Sequence, residues 1–462
     1  MTTRRLPGLA LTAAILLLAG CGKGEPVREA GQYGPNPTIP EPEYAAFPPI
    51  RIATPVGWPE GENPTAAPGL AVTAFATDLI HPRWILPLPN GDVLVAESDA
   101  GGAPVKRPKD LFIRFAMREA KGSGPAPPNR ISLLRDRDGD GRAESRTDFI
   151  TGLAGPFGME LVGNDLYVAD ADKLLHYRYT VGADRPDGGG TVVARLPGGF
   201  NHHWTKNVIA SPDGSRLYVT VGSNSNVGEN GMEYEVNRAA IHEIDPATGA
   251  TRLFASGLRN PNGMDWNPDT GALWTVVNER DEIGDDASPD YITSVRPGGF
   301  YGWPWSYWGR HVDKRPYPPR PDMVAKAITP DYAVGSHTGS LGFVFAEGAN
   351  LGDAYANGAF VGQHGSWNRS RPIGYKVIFI PFAGGRPSGP PVDVLGGFLH
   401  GREVYGRPVG VAIDRSGALL VADDAGNAVW RGRRAIALPP SQNEPFTRKK
   451  KTGPISWSLL WW

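Results

Sequence analysis

The sequence predicts an all-β fold, a six-bladed β-propeller, and three observations carry that prediction. First, one strand, turn, strand unit recurs six times: LPNGDVLVAES from Leu88, VGNDLYVADA from Val162, SPDGSRLYVTVGS from Ser211, NPDTGALWTVVNE from Asn267, YANGAFVGQHGS from Tyr355 and DRSGALLVADD from Asp414. In the third copy Pro212, Asp213 and Gly214 supply the turn, and Leu217, Val219 and Val221 alternate with Tyr218 and Thr220. Units spaced by roughly 40 to 90 residues, each completed to four strands, form a ring of blades. Second, 60 Gly and 45 Pro supply many tight turns, and 10% aromatic residues argue against disorder. Third, 462 residues exceed one ordinary domain, yet a propeller grows by repetition and needs no second core.

The N-terminus carries an address. Arg4 and Arg5 precede an apolar run from Leu9 to Leu18, and Leu18-Ala19-Gly20-Cys21 follows, the pattern of a bacterial lipoprotein signal with Cys21 as the acylated first residue of the mature chain. The run is too short for a permanent membrane span, and a plain secretory signal is the other reading. Cys21 is the single cysteine, so no intrachain disulfide forms. Gly22 and Lys23 lack an aspartate that would resemble inner-membrane retention, which favours the periplasmic face of the outer membrane. Residues 21–68, rich in Pro, Gly and Glu, form a tether or a strap on the domain.

The propeller domain spans 69–432. Its first blade begins near Gly69, where LAVTAFATDLIHPRWILPLPNGDVLVAES gives two strands and the first hairpin. An insertion between Asp99 and Pro128 includes RPKDLFIRFAMREAKG, a short helix that is either rim decoration or a lid. Asp136-Arg137-Asp138-Gly139-Asp140-Gly141 has the alternate carboxylates of a calcium loop, although the twelfth position is Thr147 with Glu144 nearby; the same residues also make a good turn. A net charge of −1 excludes a nucleic-acid footprint.

Loops at one face of a propeller converge on its axis, so polar residues beside the hairpins are the site candidates. His203 stands just ahead of the third hairpin, with His202 beside it; a histidine is the usual general base near neutral pH. Arg259-Asn260-Pro261 leads into the fourth hairpin, and a guanidinium next to a carboxamide suits an anionic, carbonyl-rich ligand. After it comes VNERDEIGDDASPDYITSVRPGGFYGWPWSYWG, acidic and then aromatic. The fifth hairpin is followed by His364, Trp367, Asn368 and Arg369, and Arg407 precedes the sixth.

His203 before a hairpin, GLRNPNG at Gly257 to Gly263 and GGFYGWP at Gly298 to Pro304, in that order, resemble the glucose/sorbosone dehydrogenase family, and the sorbosone-dehydrogenase-like branch most. The resemblance covers roughly Leu70 to Arg431. It implies a six-bladed quinoprotein oxidoreductase using pyrroloquinoline quinone (PQQ) and calcium (Ca2+) to oxidise a sugar or sugar-derived aldehyde by hydride transfer, with a quinone or cytochrome as downstream acceptor.

Carried over, the resemblance implies His203 as general base and Arg259 as stabiliser of charge on the quinone oxygens. Asn260, Asp290, His364, Arg369 and Arg407 become cofactor contacts, and the backbone carbonyls of Glu279 and Arg280 calcium ligands. This chain departs where the family's histidine-orienting aspartate would fall, at Ser223; Glu229 is a substitute at hand. Two other classes share such a ring, a calcium-dependent lactonase-type hydrolase and a non-catalytic binding scaffold. The last hairpin closes the ring at Arg431, and the tail 433–462, with RKKKTGPISWSLLWW, is basic and then apolar.

Overall fold

A computed structural model describes residues 27–44, 51–100 and 124–435, with scattered positions between 102 and 118. The lipoprotein motif at Cys21 and the tail from 436 onward lie outside the described residues. Each predicted hairpin supplies the first two strands of one antiparallel sheet, and there are six such sheets. Sheet I is Pro82–Pro87, Val93–Glu97, Arg130–Arg135 and Ser145–Ile150. Sheet II is Met159–Val162, Asp165–Asp170, Lys173–Arg178 and Asp187–Arg195. Sheet III is Val208–Ala210, Leu217–Val221, Ala240–Ile244 and Thr251–Ser256, with Gly299–Phe300 added in parallel at its edge. Sheet IV is Pro261–Trp266, Leu273–Val277, Pro289–Ser294 and Tyr332–Ser336. Sheet V is Ser340–Phe345, Gly358–Gln363, Lys376–Ala383 and Val392–Gly396. Sheet VI is Pro408–Ile413, Leu419–Asp423, Ala428–Arg434 and Leu70–Ala76.

The first strands of sheets I to VI touch in cyclic order, the sixth returning to the first, which makes the assembly a propeller. Glycine makes that approach possible. A side chain at Gly158 would strike the backbone of Val208, one at Gly263 that of Phe343 and one at Gly342 that of Val409.

The strand Leu70–Ala76 does not open sheet I, as its position in sequence suggests. It pairs antiparallel with Ala428–Arg434, Trp430 facing Ala74, and forms the outer edge of sheet VI. Nor do the second strands alternate between buried and exposed: all five residues of Leu217–Val221 are buried, because each sheet is covered on both faces by its neighbours.

Residues 27–44 and 51–66 form a strap. Tyr33–Gly34 extends sheet IV, Thr54–Pro55 pairs with Glu403–Val404, and Thr65–Ala66 extends sheet V. In the insertion, Asp110, Leu111, 113–115 and Arg118 are helical. No helix among the described residues is long and apolar enough to cross a membrane.

Candidate functional site

In each sheet the chain enters the first strand and leaves the second at the same end, so residues flanking the hairpins gather at one mouth of the ring. His81, His203, Arg259, Asn260, His337 and Arg407 precede first strands; Ser223, Asn278 to Asp281, His364 and Asp424 follow second strands, and Asp423 ends one. The Asp136, Asp138, Asp140 and Glu144 carboxylates come within 4.8 Å of one another, but on a turn between the third and fourth strands of sheet I, at the opposite end.

His203 sits half-buried, its Nδ1 2.9 Å from both the carbonyl and the hydroxyl of Ser223. The carbonyl can only accept, and the hydroxyl spends its proton on the Ser225 carbonyl at 2.7 Å. Nδ1 therefore carries the ring proton and Nε2 the lone pair. Burial first, then the charge of Arg259 and the His202 ring, hold His203 well below the usual imidazole range. Ser223 thus orients the ring in the aspartate's place. Glu229 does not: its carboxylate accepts the backbone N–H of Asn226 and Val227 and lies 3.6 Å from Arg107 of the insertion. Lys106, next to Arg107, donates to the Asn230 carbonyl at 3.0 Å and stacks on Tyr234, so the insertion rests on the loop that carries Ser223.

Arg259 is fully buried and differs from its expected role. Its guanidinium pairs with Asp281 at 2.8 Å and donates to the Asn226 carboxamide at 2.9 Å and to the Glu279 carbonyl at 2.6 Å. So engaged, it shapes the loop and sets the basicity of His203. Of the two backbone carbonyls expected to hold calcium, that of Glu279 takes this guanidinium, while the Arg280 side chain is spent on Glu279, Asp313 and the carbonyls of Pro304 and Ser306.

Asp290 and Arg369, expected as cofactor contacts, are both engaged within the protein. Asp290 is wholly buried and accepts from the N–H of Glu279 and Ser340 and from the Thr338 hydroxyl; burial pushes its carboxyl up to about 6. Arg369 donates to the carbonyls of Asp285 and Ser336 and pairs with Asp286 at 2.9 Å.

His364 belongs to a second cluster. Its Nε2 meets both oxygens of Asp424, at 2.9 and 3.1 Å, and the same carboxylate binds Arg83 of sheet I, with His81 at 3.5 Å. Burial alone would raise Asp424, but His364, His81 and Arg83 hold it well below the carboxylate range. Arg83 lies 5.9 Å from the ring of Trp204, which adjoins His203, so the two clusters share one mouth. Neighbouring Asp423 binds the backbone N–H of Arg407 at 2.7 Å.

Among the described residues, buried atoms at this mouth without a hydrogen-bond partner include Arg83 Nε, Asn260 Oδ1, which with the His203 side chain crowds the space above Gly222, and His337 Nδ1 and Asn368 Oδ1, whose residues both adjoin Asp281. Unpaired polar atoms are unfavourable in a buried site unless a ligand completes them. The quinone's carboxylates need the positive charge that Arg83 and Arg407 bring to this mouth, and the open amide oxygens of Asn260 and Asn368, which can only accept, suit a ligand hydroxyl or a cation, so the residues present fit a quinone with an accompanying ion. Sequence reasoning missed Asp281, Asn226, His337, Arg83 and Asp424.

Sheets in cyclic contact, with titratable groups gathered at one mouth, define a β-propeller with a single-ended site. The chain belongs to the TrAA12-like family, whose family model matches residues 133–299 and 323–431. It is 28% identical over 298 residues to an uncharacterized protein of Borreliella burgdorferi, covering 60% of this chain and 76% of that one. Among solved structures, the holo form of the pyranose dehydrogenase PQQ domain from Coprinopsis cinerea superposes with a TM-score of 0.65 at 20% identity, over 83% of this chain and 100% of that one. The calcium structure of the Trichoderma reesei family AA12 enzyme gives 0.66 at 18% identity, over 84% and 99%. At these identities the likeness establishes the fold.

Proposed function

We propose that this chain is a six-bladed quinoprotein that oxidises a sugar or sugar-derived aldehyde at the mouth carrying His203, with calcium as the accompanying ion. Family membership and a structural relative holding PQQ support this reading. The observation that carries it is the oriented histidine, His203, at a mouth that also gathers Arg83, Arg407 and the open amide oxygens of Asn260 and Asn368. Bound there, pyrroloquinoline quinone supplies the hydride acceptor.

The protein's own part is positioning and proton transfer. Asn260, His364 and Arg407, with Arg83, would hold the anionic rim of the quinone. His203 Nε2 takes the substrate hydroxyl proton, and its Nδ1–H keeps the ring fixed on Ser223 while the charge develops. Burial, and after it the charge of Arg259, keep that imidazole neutral beforehand, so that it is ready to accept.

The substrate class follows the sorbosone-like motifs, with electrons passing to a quinone or cytochrome and the chain held in the periplasm by a lipid on Cys21. Reconstitution with PQQ and calcium, followed by dye reduction across a panel of aldoses and aldehydes, tests the proposal. Turnover of lactones with calcium alone and no response to quinone would favour the hydrolase instead.

A further inference from the structure

We propose that the N-terminal strap is a clamp on the candidate site, with Trp58 and Gln32 as its positioning residues. The strap touches the loops of sheets IV, V and VI, and at three of these contacts the partner also holds or adjoins a site residue.

At one end, Trp58 donates its indole N–H to Asp423 Oδ2 at 2.7 Å. The ring packs edge-on against Phe398, Tyr405 and Trp430, with centroids 5.4, 5.6 and 5.2 Å away. Asp423 is fully buried, and its other oxygen accepts the backbone N–H of Arg407 at 2.7 Å and of Gly426 at 2.8 Å. The following residue, Asp424, gathers His364, Arg83 and His81. Asp423 Oδ2 also accepts the Trp430 indole at 2.9 Å, so the strap's indole is one of two that fix the carboxylate setting both Arg407 and the turn presenting Asp424. Ala53 adds its carbonyl to the Arg407 guanidinium at 3.4 Å.

Midway, the Arg51 N–H bonds the Trp367 carbonyl at 3.1 Å, one residue from Asn368, which binds Asp281. At the other end, Glu43 N–H bonds the Ile283 carbonyl at 2.9 Å. Gln32, 3% exposed, donates to Asp286 Oδ1 at 2.9 Å, the oxygen that also takes Arg369 at 2.9 Å. A segment that only linked the domain to an anchor would not need a buried glutamine and a tryptophan bonded to two carboxylates, one part-buried and one fully buried, more than 130 residues apart.

The catalytic consequence rests on the proposed function, whereas the clamp itself is a property of the loops and can be measured without cofactor. Trp58→Phe keeps an aromatic ring and removes the hydrogen bond; Gln32→Met acts at the far end. Hydrogen exchange on the full chain is expected to quicken about tenfold at the Arg407 and Gly426 amides in Trp58→Phe, for loss of one bond to a buried charge, while the amide of Thr220 is unchanged. Gln32→Met is expected to quicken exchange at the Ser336 amide and across 283–286 instead. Quinone titration with calcium chloride, followed by protein fluorescence, is expected to weaken about tenfold in Trp58→Phe for the same lost bond, with melting temperature nearly retained.

Unchanged exchange at Arg407 and Gly426, or a uniform rise over all six sheets, overturns the clamp. A parent protein that binds no quinone while the local exchange changes appear overturns the functional reading and leaves the clamp standing.

Discussion

Replacing Asp424 by Asn tests how the second cluster is held together. Asp424 is 5% exposed and its carboxylate serves Arg83, His364 and His81 at once. The Arg83 side chain is itself nine-tenths buried, and its Nε has no partner. The amide keeps the shape but removes the charge, leaving a buried guanidinium without a counterion, a change worth about 3–5 kcal/mol. For a domain of this size that corresponds to a fall in melting temperature of about 5 °C.

The sign of the pH dependence follows from Asp424 being held well below its ordinary value of 3.8. Its contribution is fully present above that value and is lost as pH falls through the lower folded value, so the gap between parent and Asp424→Asn should be constant from pH 8 to 5 and narrow only in stronger acid. Calorimetry at several pH values checks this. A variant as stable as the parent at pH 7 would falsify the view that Asp424 neutralises the cluster.

His203→Ala should keep quinone binding and lose about two to four orders of magnitude in turnover, measured by dye reduction after reconstitution; a variant as fast as the parent sinks the assignment. Arg259→Met should lower stability and loosen the 226 and 278–281 loops, because Asp281 then loses its buried partner; thermal melts and exchange at those loops report it. Glu160, at the other mouth, is pushed up to about 8 by burial and then by Asp265. The folded state thus holds a proton that the unfolded state releases near 4.5, and stability falls as pH rises from about 4.5 to 8; Glu160→Gln should flatten that slope in denaturant titrations. Cys21→Ser should move the protein from the membrane fraction to the soluble periplasm, and mass spectrometry of the parent should find acyl chains on Cys21.

The hairpins were legible because each is a local matter of turn residues between two apolar strands. Leu70–Ala76 was misjudged, since nothing in LAVTAFA announces that its partner is Ala428–Arg434, at the other end of the domain. A further signal went unread: PFGME, PNGMD, SLGFV and PVGVA place a glycine at the same point of four first strands, where neighbouring strands crowd the axis. At the site, His203 stood out by its position, but the choice between a contact and a brace depends on what a side chain meets after folding. Asp290 and Arg369 carry charges close in sequence to the mouth, yet both are consumed by backbone groups from loops that no spacing rule brings together. Ser223 shows the converse, a missing carboxylate whose task is shared by a hydroxyl and a carbonyl of the same residue.

The pairing of Leu70–Ala76 with Ala428–Arg434 has a consequence for biogenesis. The outer strand of sheet VI, Leu70–Ala76, is made first and waits for its partner until Arg434 has been made and delivered, so the ring stays open while the chain emerges. Until then the edge of Leu70–Ala76 and the flank of sheet I that rests on sheet VI have no cover. Folding intermediates of this protein should therefore expose one seam, always the same one, and a holding chaperone that guards it would be needed only for the interval between the first sheet and the last.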